Sequence, residues 1–401
     1  MAGEALVFFQ ETPVVIEKEK TVMEFKLTKE QQLIQSAARD YAEKAIAPHM
    51  EEIVEKNEVP DEIITGLKDL DLFALPISDE YGGAGAGYAS YVLAEEQLSR
   101  ICPGVAVIVS VNNVGAAAMS IFGTEEQKKT YLPMGTKGSG VFSFAFTEPG
   151  TGSDPKQITA TADRDGDYYV LNATKRFITN SSYEGPLVVF ARDTETGHIN
   201  GYIVDKFCEG YSISEPWNKM GAKGAPLYDV YLKDVKIPKD NILGGPGQGF
   251  WILKVAMALG KIGISSIFLG AMLAAYEEGL TYATAKTHRG GPIAKFQAIQ
   301  MAIADMFMKY EAARWMAYRI GYLADNAQDK GDILKDSAAA KIFITETAID
   351  VARIALNIHG SYGLMEDYKI SRVWKDVIFG PQVEGVSHLL KVLVAGEILK
   401  G

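Results

Sequence analysis

Apolar and polar positions follow two different periods along the chain. Apolar residues recur at helical spacing in QQLIQSAARDYAEKAIAP and in YASYVLAEEQLSRI, and this spacing predicts helices across residues 28–135. Thr28 and Gln31 predict a capping box just before the first run. Between the runs, DEYGGAGAGYAS lacks the G-x-G-x-x-G spacing of a dinucleotide-binding loop and follows no clear strand, so we interpret it as an ordinary loop.

The period changes to that of strands near residue 138. DYYVLNATKRFITN, GPLVVFARD, INGYIVDK and DVYLKDVKIP are short, rich in β-branched and aromatic residues, and separated by turn residues. They predict a small antiparallel barrel or sandwich. After GGPGQG the pattern is helical again, in long runs predicted at Phe250 to His288, Pro292 to Gln328 and Ile333 to His359.

One apolar run, Val255 to Ala275, is long enough to span a membrane. Lys261 falls inside it and no second span accompanies it, so we expect a buried bundle helix and no membrane span. The predicted fold is α+β multidomain and mainly α. Its predicted parts are an N-terminal extension (1–22), a helical N-terminal domain (23–137), a β-barrel domain (138–245) and a C-terminal helical bundle (246–401).

Composition narrows the function classes. A net charge of -11 argues against a nucleic-acid or anionic-membrane partner. Two cysteines fit a reducing compartment, and the five scattered histidines do not predict a metal site. The N-terminal stretch is acidic and lacks arginine, so it has neither a secretory nor a transit-peptide signature. The cytoplasm is therefore expected rather than the mitochondrial matrix.

Three segments could carry chemistry. FSFAFTEPGTGSD runs from an apolar strand into a turn whose hydroxyls and N–H groups could hold a ring edge or a phosphate. NIHGSYG ends a long helix on glycines that permit close approach of a ligand. PQVEGVSHLL places one carboxylate, Glu384, between valines. Each alone has an ordinary reading: a strand exit, a helix cap and a surface charge.

Together and in order, these segments resemble the acyl-CoA dehydrogenase family. The resemblance runs from about Met23 to the C-terminus and includes TEPGTGSD, FITN, KMGAKG, DVKIPKDNILG, GPIAKFQAIQ and VEGVS. It implies FAD as cofactor and the same order of helical, β-barrel and four-helix domains. It also implies an acyl-CoA substrate, electron-transfer flavoprotein as electron acceptor, and a homotetramer or homodimer.

The resemblance also implies roles for individual residues. Glu384 matches the base that removes the α-proton of the thioester, and its apolar neighbours are expected to raise its pKa. The implied cofactor contacts are Phe144, Phe146, Thr147, Phe177, Ile178, Thr179, Lys286, Arg289, Gln297, Asn357, His359, Gly360, Ser361, Val386 and Ser387. The implied substrate contacts are Ser153, Ala258, Lys261 and Gly385.

Several positions depart from the usual family pattern. Lys286 stands where an arginine is usual, with Arg289 as a shifted substitute, and Val386 replaces a flavin-contacting threonine. Ala258 replaces an aspartate at the CoA end. Ala106 and Val107 replace the Arg-Ser pair of glutaryl-CoA members, which disfavours a dicarboxylic substrate bound in that way.

The implied reaction is α,β-dehydrogenation of an acyl-CoA to the trans-2-enoyl-CoA. Three alternatives stay open on the sequence alone. The same site run in reverse is an enoyl-CoA reductase, and delivery of electrons to O2 would make the protein an oxidase. A non-catalytic CoA- or flavin-binding relative is the alternative of another class.

Overall fold

The computed structural model describes residues 26–400. The predicted extension, residues 1–22, lies outside that range. The N-terminal helices are α1 (Lys29–Tyr41), α2 (Met50–Lys56), α3 (Asp61–Asp69), α4 (Gly87–Ile101), α5 (Pro103–Phe122) and α6 (Glu125–Thr136). The capping box of Thr28 and Gln31 is confirmed at the start of α1.

The glycine-rich segment differs in part from its prediction as a loop. It starts with a short 3₁₀ turn, Asp79–Tyr81, and α4 begins at Gly87 and takes up the last four residues of the segment. The carboxylate of Asp325, on a distant helix, accepts hydrogen bonds from the N–H groups of Tyr88 (2.6 Å) and Ala89 (2.9 Å). This cap comes from a residue more than 230 positions away, so local sequence could not predict it.

The middle segment forms one eight-stranded sheet with the order β6-β7-β3-β2-β4-β5-β8, and β1 pairs with β4. Its strands are β1 (Ser143–Ala145), β2 (Thr161–Asp165), β3 (Tyr168–Thr179), β4 (Pro186–Asp193), β5 (Ile199–Asp205), β6 (Tyr211–Ile213), β7 (Leu227–Pro238) and β8 (Ile242–Leu243). Most pairs are antiparallel, as predicted. However, β1 and β2 both run parallel to β4, which the sequence did not predict.

The C-terminal helices are α7 (Gly249–Ala285), α8 (Gln297–Asn326), α9 (Leu334–His359), α10 (Lys369–Val377) and α11 (Ser387–Leu399). Two of the predicted helices were too long, one at its C-terminal end and one at its N-terminal end. Helix α7 ends three residues before His288, and α8 begins at Gln297 because Pro292 leads into a short 3₁₀ turn, Ile293–Lys295. Helix α7 packs against α4, α5, α8 and α9 and forms the centre of the helical core.

Within residues 26–400, two helices, α5 and α7, have the length and apolarity of a membrane span, and a bent pair near the C-terminus (Lys369–Gln382 with Ser387–Leu399) would be a third. The expectation that no second stretch accompanies Val255 to Ala275 was therefore wrong for α5. In this fold, 72% of the most apolar window of α5 and 89% of that of α7 are buried inside the protein. Both helices serve here as core.

Candidate active site

Glu384 lies in the turn between a short 3₁₀ helix, Gly380–Gln382, and α11. Its φ is 51° and that of Gly385 is 97°, so two successive residues adopt the left-handed region. For a glutamate this conformation costs about 1–2 kcal/mol, whereas glycine adopts it freely. The turn directs the side chain at α7, where a methyl group added at Gly260 would lie 3.1 Å from Glu384 Oε2.

The carboxyl group of Glu384 is enclosed by protein on one side. Its Oε2 is buried and has no hydrogen-bond partner among residues 26–400. Burial raises the pKa of Glu384, and the nearby charges of Lys261 and Lys341 oppose that rise. The predicted rise in pKa is therefore confirmed, whereas the two opposing lysines were not foreseen.

Lys261 and Lys341 reach the turn from α7 and α9, and both are buried. Lys261 Nζ donates to the carbonyl oxygen of Met257 (2.8 Å), and Lys341 Nζ donates to that of Gly385 (2.8 Å). Burial lowers the pKa of each lysine to about 8, and the charge of Glu384 opposes this fall. The three groups form a buried cluster of one acid and two bases.

Lys261 was predicted as a substrate contact, and in the structure its ammonium charge acts on Glu384. Ala258, its predicted neighbour in that role, is fully buried in α7. Lys341 was missed altogether. The signal that could have found it is a single lysine in the apolar run AAAKIFI, on the inner face of a long helix.

A second group of predicted residues lies where β1 and β3 meet. The N–H of Arg176 donates to the carbonyl oxygen of Thr147 (2.8 Å), which places Thr147 beside Phe177. Phe144 and Phe146 are half-buried, whereas Ile178 and Thr179 are buried. The ring of Phe177 is 50% exposed and its φ is 60°. This ring therefore lies at the surface, on the strand that pairs with the backbone of Thr147.

Below this surface, the TEPG turn is held by a buried ion pair. Lys175 Nζ lies 2.8 Å from Glu148 Oε1, and both side chains are almost fully enclosed. The second carboxylate oxygen of Glu148 accepts from the N–H (2.8 Å) and hydroxyl (2.6 Å) of Thr159. Ser153, the predicted substrate contact, lies exposed at the far side of the turn. The ion pair thus fixes the inner side and leaves Ser153 accessible.

Helix α5 joins the strand surface to Glu384. Asn112 Oδ1 accepts from the N–H of Phe142 (2.9 Å), and Asn180 Nδ2 donates to the carbonyl oxygens of Ile108 (3.0 Å) and Phe142 (3.1 Å). Two turns of α5 are therefore tied to the residue that precedes β1 and to the residue that follows β3. Val114, on the same helix, contacts the space at Gly260 beside Glu384.

A third group lies at the far end of the C-terminal bundle. Lys286 Nζ is 4.6 Å from the ring centre of Tyr362, which brings the α7–α8 connection next to the NIHGSYG turn. The ring of His359 is buried and stacks on Tyr282 at 4.1 Å. The exposed residues of this group are Lys286, Arg289, Gln297, Asn357, Gly360 and Ser361. A ligand at this end would meet these residues rather than the His359 ring.

The residues of these groups fit an FAD molecule. An isoalloxazine ring needs an apolar face with hydrogen-bonding groups at its edge, and Phe177 beside Thr147 and Thr179 supplies both. Ser387, at the start of α11, has a buried hydroxyl with no hydrogen-bond partner among residues 26–400. The exposed Lys286 and Arg289 supply positive charge for phosphate oxygens. In the described range, no group of three or more His, Cys, Asp or Glu side chains is arranged to hold a metal ion.

Comparison with known proteins agrees with this arrangement. The profiles described as "Acyl-CoA dehydrogenase, N-terminal domain", "middle domain" and "C-terminal domain" match residues 28–139, 143–235 and 247–399. The chain is 39% identical over 378 residues to a 3-(aryl)acrylate reductase of Clostridium sporogenes, covering 93% of this chain and 99% of the relative.

Two further matches cover the chain to a similar extent. The chain is 34% identical over 379 residues to the caffeyl-CoA reductase-Etf complex subunit CarC of Acetobacterium woodii, covering 93% of this chain and 99% of the relative. It superposes on the butyryl-CoA dehydrogenase structure of Megasphaera elsdenii with a TM-score of 0.90 and 31% identity, covering 94% and 100% of the two chains. The protein therefore belongs to the acyl-CoA dehydrogenase family of FAD-dependent oxidoreductases that act on CH–CH groups.

Proposed function

We propose that the protein interconverts a saturated acyl-CoA and its trans-2-enoyl-CoA, that Glu384 carries the α-proton, and that the reductive direction is the working one. The observation that carries the proposal is the buried, unbonded Oε2 of Glu384, flanked by Lys261 and Lys341. Raising the pKa of a carboxyl group brings it closer to the pH at which it can both give and take a proton. Dehydrogenation or reduction of acyl-CoA is the chemistry of this family.

In this proposal, the protein itself supplies the proton transfer at the α-carbon, through Glu384. In reduction, protonated Glu384 gives its proton to the α-carbon of the enoyl thioester, and in oxidation its carboxylate removes the same proton. FAD, when bound, supplies or accepts the hydride at the β-carbon. The proton and the hydride together account for the two hydrogens that the double bond gains. The N–H group of Glu384 would hold the thioester oxygen, where negative charge develops.

The cofactor would be held by two of the residue groups described above. Phe144, Phe146, Thr147 and Phe177–Thr179 would bind the flavin ring, and Val386 and Ser387 would lie beside it. The exposed group at the end of the bundle would bind the phosphate and adenosine end, namely Lys286, Arg289, Gln297, Asn357, Gly360 and Ser361. Since it lies at the opposite end of α7 from the Glu384 contact, we infer that it serves a second copy of the chain in a homotetramer or homodimer.

The substrate would enter with its CoA part outside and its acyl part inside. Ser153 is exposed and suits a contact with CoA, while Gly385 would lie next to the reacting carbons. Ala106 is buried and Val107 half-buried, so this part of α5 has no charge to hold a distal carboxylate. A dicarboxylic acyl group bound here is disfavoured.

The names of the relatives support the proposed direction of the reaction and the proposed electron carrier. Two of them are named as reductases of aryl-substituted acrylate or caffeyl-CoA, and one of these is a subunit of a complex with Etf. Their names support reduction with electrons from an electron-transfer flavoprotein. Butyryl-CoA dehydrogenase, with the same fold, is named for the opposite direction.

Anaerobic spectroscopy of the FAD-loaded protein tests the proposal. Reduced flavin should be reoxidised when a 2-enoyl-CoA is added, and oxidised flavin should bleach to a smaller extent with the saturated thioester. Glu384→Gln should bind both thioesters and do neither. Failure to load the protein with FAD would exclude the proposed enzymatic activity. Rapid reoxidation of the reduced flavin by O2 with ligand bound would favour the oxidase alternative.

A further inference from the structure

A β-bulge interrupts the pairing of β3 and β7 at Phe177. The register of the two strands shifts between Lys175 and Ile178, so two residues of β3 stand opposite one residue of β7. The two residues are Arg176 and Phe177, and the single residue is Asp229. A bulge redirects the side chains inside it and is common beside active sites. This bulge lies at the surface that the proposed function assigns to the flavin ring.

The backbone of the bulge has a conformation that phenylalanine rarely adopts. The φ of Phe177 is 60°, in the left-handed region, where a side chain crowds its own backbone. Such a conformation persists only where the surrounding structure fixes it. The ring of Phe177 is 50% exposed, so enclosure of the ring in a core does not fix it. The contacts that do so lie around the backbone of the bulge.

Asp229 supplies these contacts from the opposite strand. Its carboxylate is buried and accepts hydrogen bonds from Arg176 Nη2 (2.9 Å) and from the indole Nε1 of Trp217 (3.0 Å). The N–H of Phe177 also donates to it. The hydrogen bond from Arg176 contributes most to a lowered pKa of Asp229, and burial opposes that effect. One ionised carboxylate therefore binds both residues of the bulge and joins them to Trp217.

Trp217 reaches the bulge from the segment between β6 and β7. Its N–H donates to the carbonyl oxygen of Leu227 (2.8 Å), which fixes this segment to β7. Its ring meets that of Phe177 edge-on, with ring centres 5.4 Å apart and planes at 63°. Aromatic pairs favour this arrangement. The guanidinium group of Arg176 lies 5.2 Å from the centre of the Trp217 ring. Contact with Trp217 thus restricts the orientation of the Phe177 ring.

The bulge is also tied to the TEPG segment. The N–H of Arg176 donates to the carbonyl oxygen of Thr147 (2.8 Å). Lys175 Nζ, one residue earlier, donates to the carbonyl oxygen of Phe146 (3.2 Å). Phe146, Thr147 and Phe177 are all among the residues that would bind the flavin ring. A shift of the bulge would therefore move one of these contacts relative to the others.

We propose that Asp229 and Trp217 are positioning residues of the flavin site and act through Phe177. Asp229 holds the left-handed bulge, and Trp217 holds the ring of Phe177 in one orientation. A surface that is already ordered binds its ligand more tightly, because less ordering is needed on binding. The inference rests on the proposed function, because it requires contact between the Phe177 ring and the bound flavin.

The test measures how fast FAD leaves the loaded protein after dilution, from the rise of FAD fluorescence. Trp217→Leu should speed up release by about threefold to tenfold, the usual contribution of an edge-on aromatic pair. Trp217→Phe keeps a ring but loses the indole N–H, so its rate should lie between those of the wild type and Trp217→Leu. Asp229→Asn should speed up release by about tenfold or more, because it loses the charge that binds Arg176.

A double-mutant cycle with Phe177→Leu separates positioning from general support of the sheet. Phe177→Leu should itself speed up the release of FAD. In that background, Asp229→Asn should change the rate by less than about twofold, because the residue through which it acts is gone. A role limited to the stability of the sheet would lower the thermal midpoint and give Asp229→Asn the same effect on release in both backgrounds. That result would overturn the inference.

Tyr168→Leu is the matched control. Tyr168 is also an exposed ring of β3, with the ammonium group of Lys236 4.5 Å from its centre, but it lies about 30 Å from Phe177 along the strand. This variant should release FAD at the wild-type rate. Trp217→Leu replaces a ring that is 42% exposed and is expected to fold, so it tests the inference even where Asp229→Asn does not fold.

The outcomes separate this inference from the proposed function. Wild-type release in Trp217→Leu, from a protein that binds FAD and interconverts the thioesters, would overturn the inference alone. Unchanged release in Phe177→Leu would do the same, since the flavin would then not depend on that ring. A wild-type protein that holds no FAD would overturn the proposed function, and this inference with it.

Discussion

The ammonium group of Lys341 lies 2.8 Å from the carbonyl oxygen of Gly385 and donates a hydrogen bond to it. Because Gly385 directly follows Glu384, this bond anchors the left-handed turn that directs the carboxyl group at α7. The same ammonium charge favours the ionised form of Glu384, against the effect of burial. One buried side chain on α9 thus acts on both the position and the proton affinity of the proposed acid–base group.

Replacement of Glu384 by glutamine tests the proton transfer itself. Glutamine keeps the size and polarity of the side chain but cannot give or take a proton at the α-carbon. The rate of flavin reduction or reoxidation should fall by about 10²–10⁴-fold, the usual contribution of a general acid or base. Binding of the thioester, followed by the change that it causes in the flavin spectrum, should remain. Undiminished bleaching would assign the α-proton to another residue.

The two lysines predict a shift of the pH profile. Lys261→Met removes a positive charge that stabilises the carboxylate, so the pKa of Glu384 should rise. Reduction needs the protonated acid, and its rate is lost as pH rises through that pKa. The loss should therefore move to higher pH in Lys261→Met, and the onset of acyl-CoA oxidation should move the same way. Stopped-flow rates over a pH series would measure both.

Lys341→Met is the informative comparison for that series. It removes a similar charge but also the hydrogen bond to Gly385, whereas the hydrogen bond of Lys261 is to the carbonyl of Met257 in its own helix. Both variants should shift the profile in the same direction, and only Lys341→Met should also lower the maximum rate. Profiles that match the wild type in both variants would contradict the electrostatic role.

Local sequence patterns were sufficient to predict much of the structure of this protein. The capping box at Thr28, the apolar α7 and the change to strand period were all confirmed because each depends on residues close together in sequence. The order of domains and the pKa rise of Glu384 followed from the same kind of signal. The valines beside Glu384 already indicated an apolar setting.

The remaining features depend on contacts between distant residues. Asp325 caps α4 from another helix, and β1 and β2 pair in parallel with β4 through connections that the strand pattern does not encode. Lys341 lies 43 positions before Glu384, and nothing in the run around it specifies which turn it faces. Such side chains acquire their function only when the helices are packed together.

Replacing Gly260 should impair catalysis but not folding. A methyl group there would lie 3.1 Å from Glu384 Oε2 and from Val114 Cγ2, close enough to displace the carboxyl group. Gly260→Ala should lower kcat by about tenfold to 10²-fold through misplacement. Its thermal stability should stay equal or rise, because alanine favours a helix interior over glycine by about 1 kcal/mol.

Gly396→Ala is the control for that variant. Gly396 also lies inside a helix, α11, but a methyl group there would meet nothing within 4 Å. It should gain helix stability with kcat unchanged. Equal activity of the two alanine variants would show that the space at Gly260 does not matter to Glu384.

The buried pair of Lys175 and Glu148 should determine whether the flavin surface holds its cofactor. Lys175 Nζ also donates to the carbonyl oxygen of Phe146 (3.2 Å), so it fixes the strand that presents Phe146 and Thr147. Lys175→Met leaves the Glu148 carboxylate buried without its cation and should lower the free energy of unfolding by about 3–5 kcal/mol. The loosened strand should also release FAD during gel filtration.

A surface pair on the same sheet provides the comparison. Lys236 pairs with Asp165 at 2.9 Å, and both side chains are more than half exposed. Lys236→Met should therefore change stability by less than about 1 kcal/mol and leave the FAD content as in the wild type. Thermal melts with and without added FAD, together with flavin absorbance per protein, separate the two effects. A Lys175→Met protein that melts early but keeps its full FAD content would mean that the pair supports the fold alone and not the cofactor site.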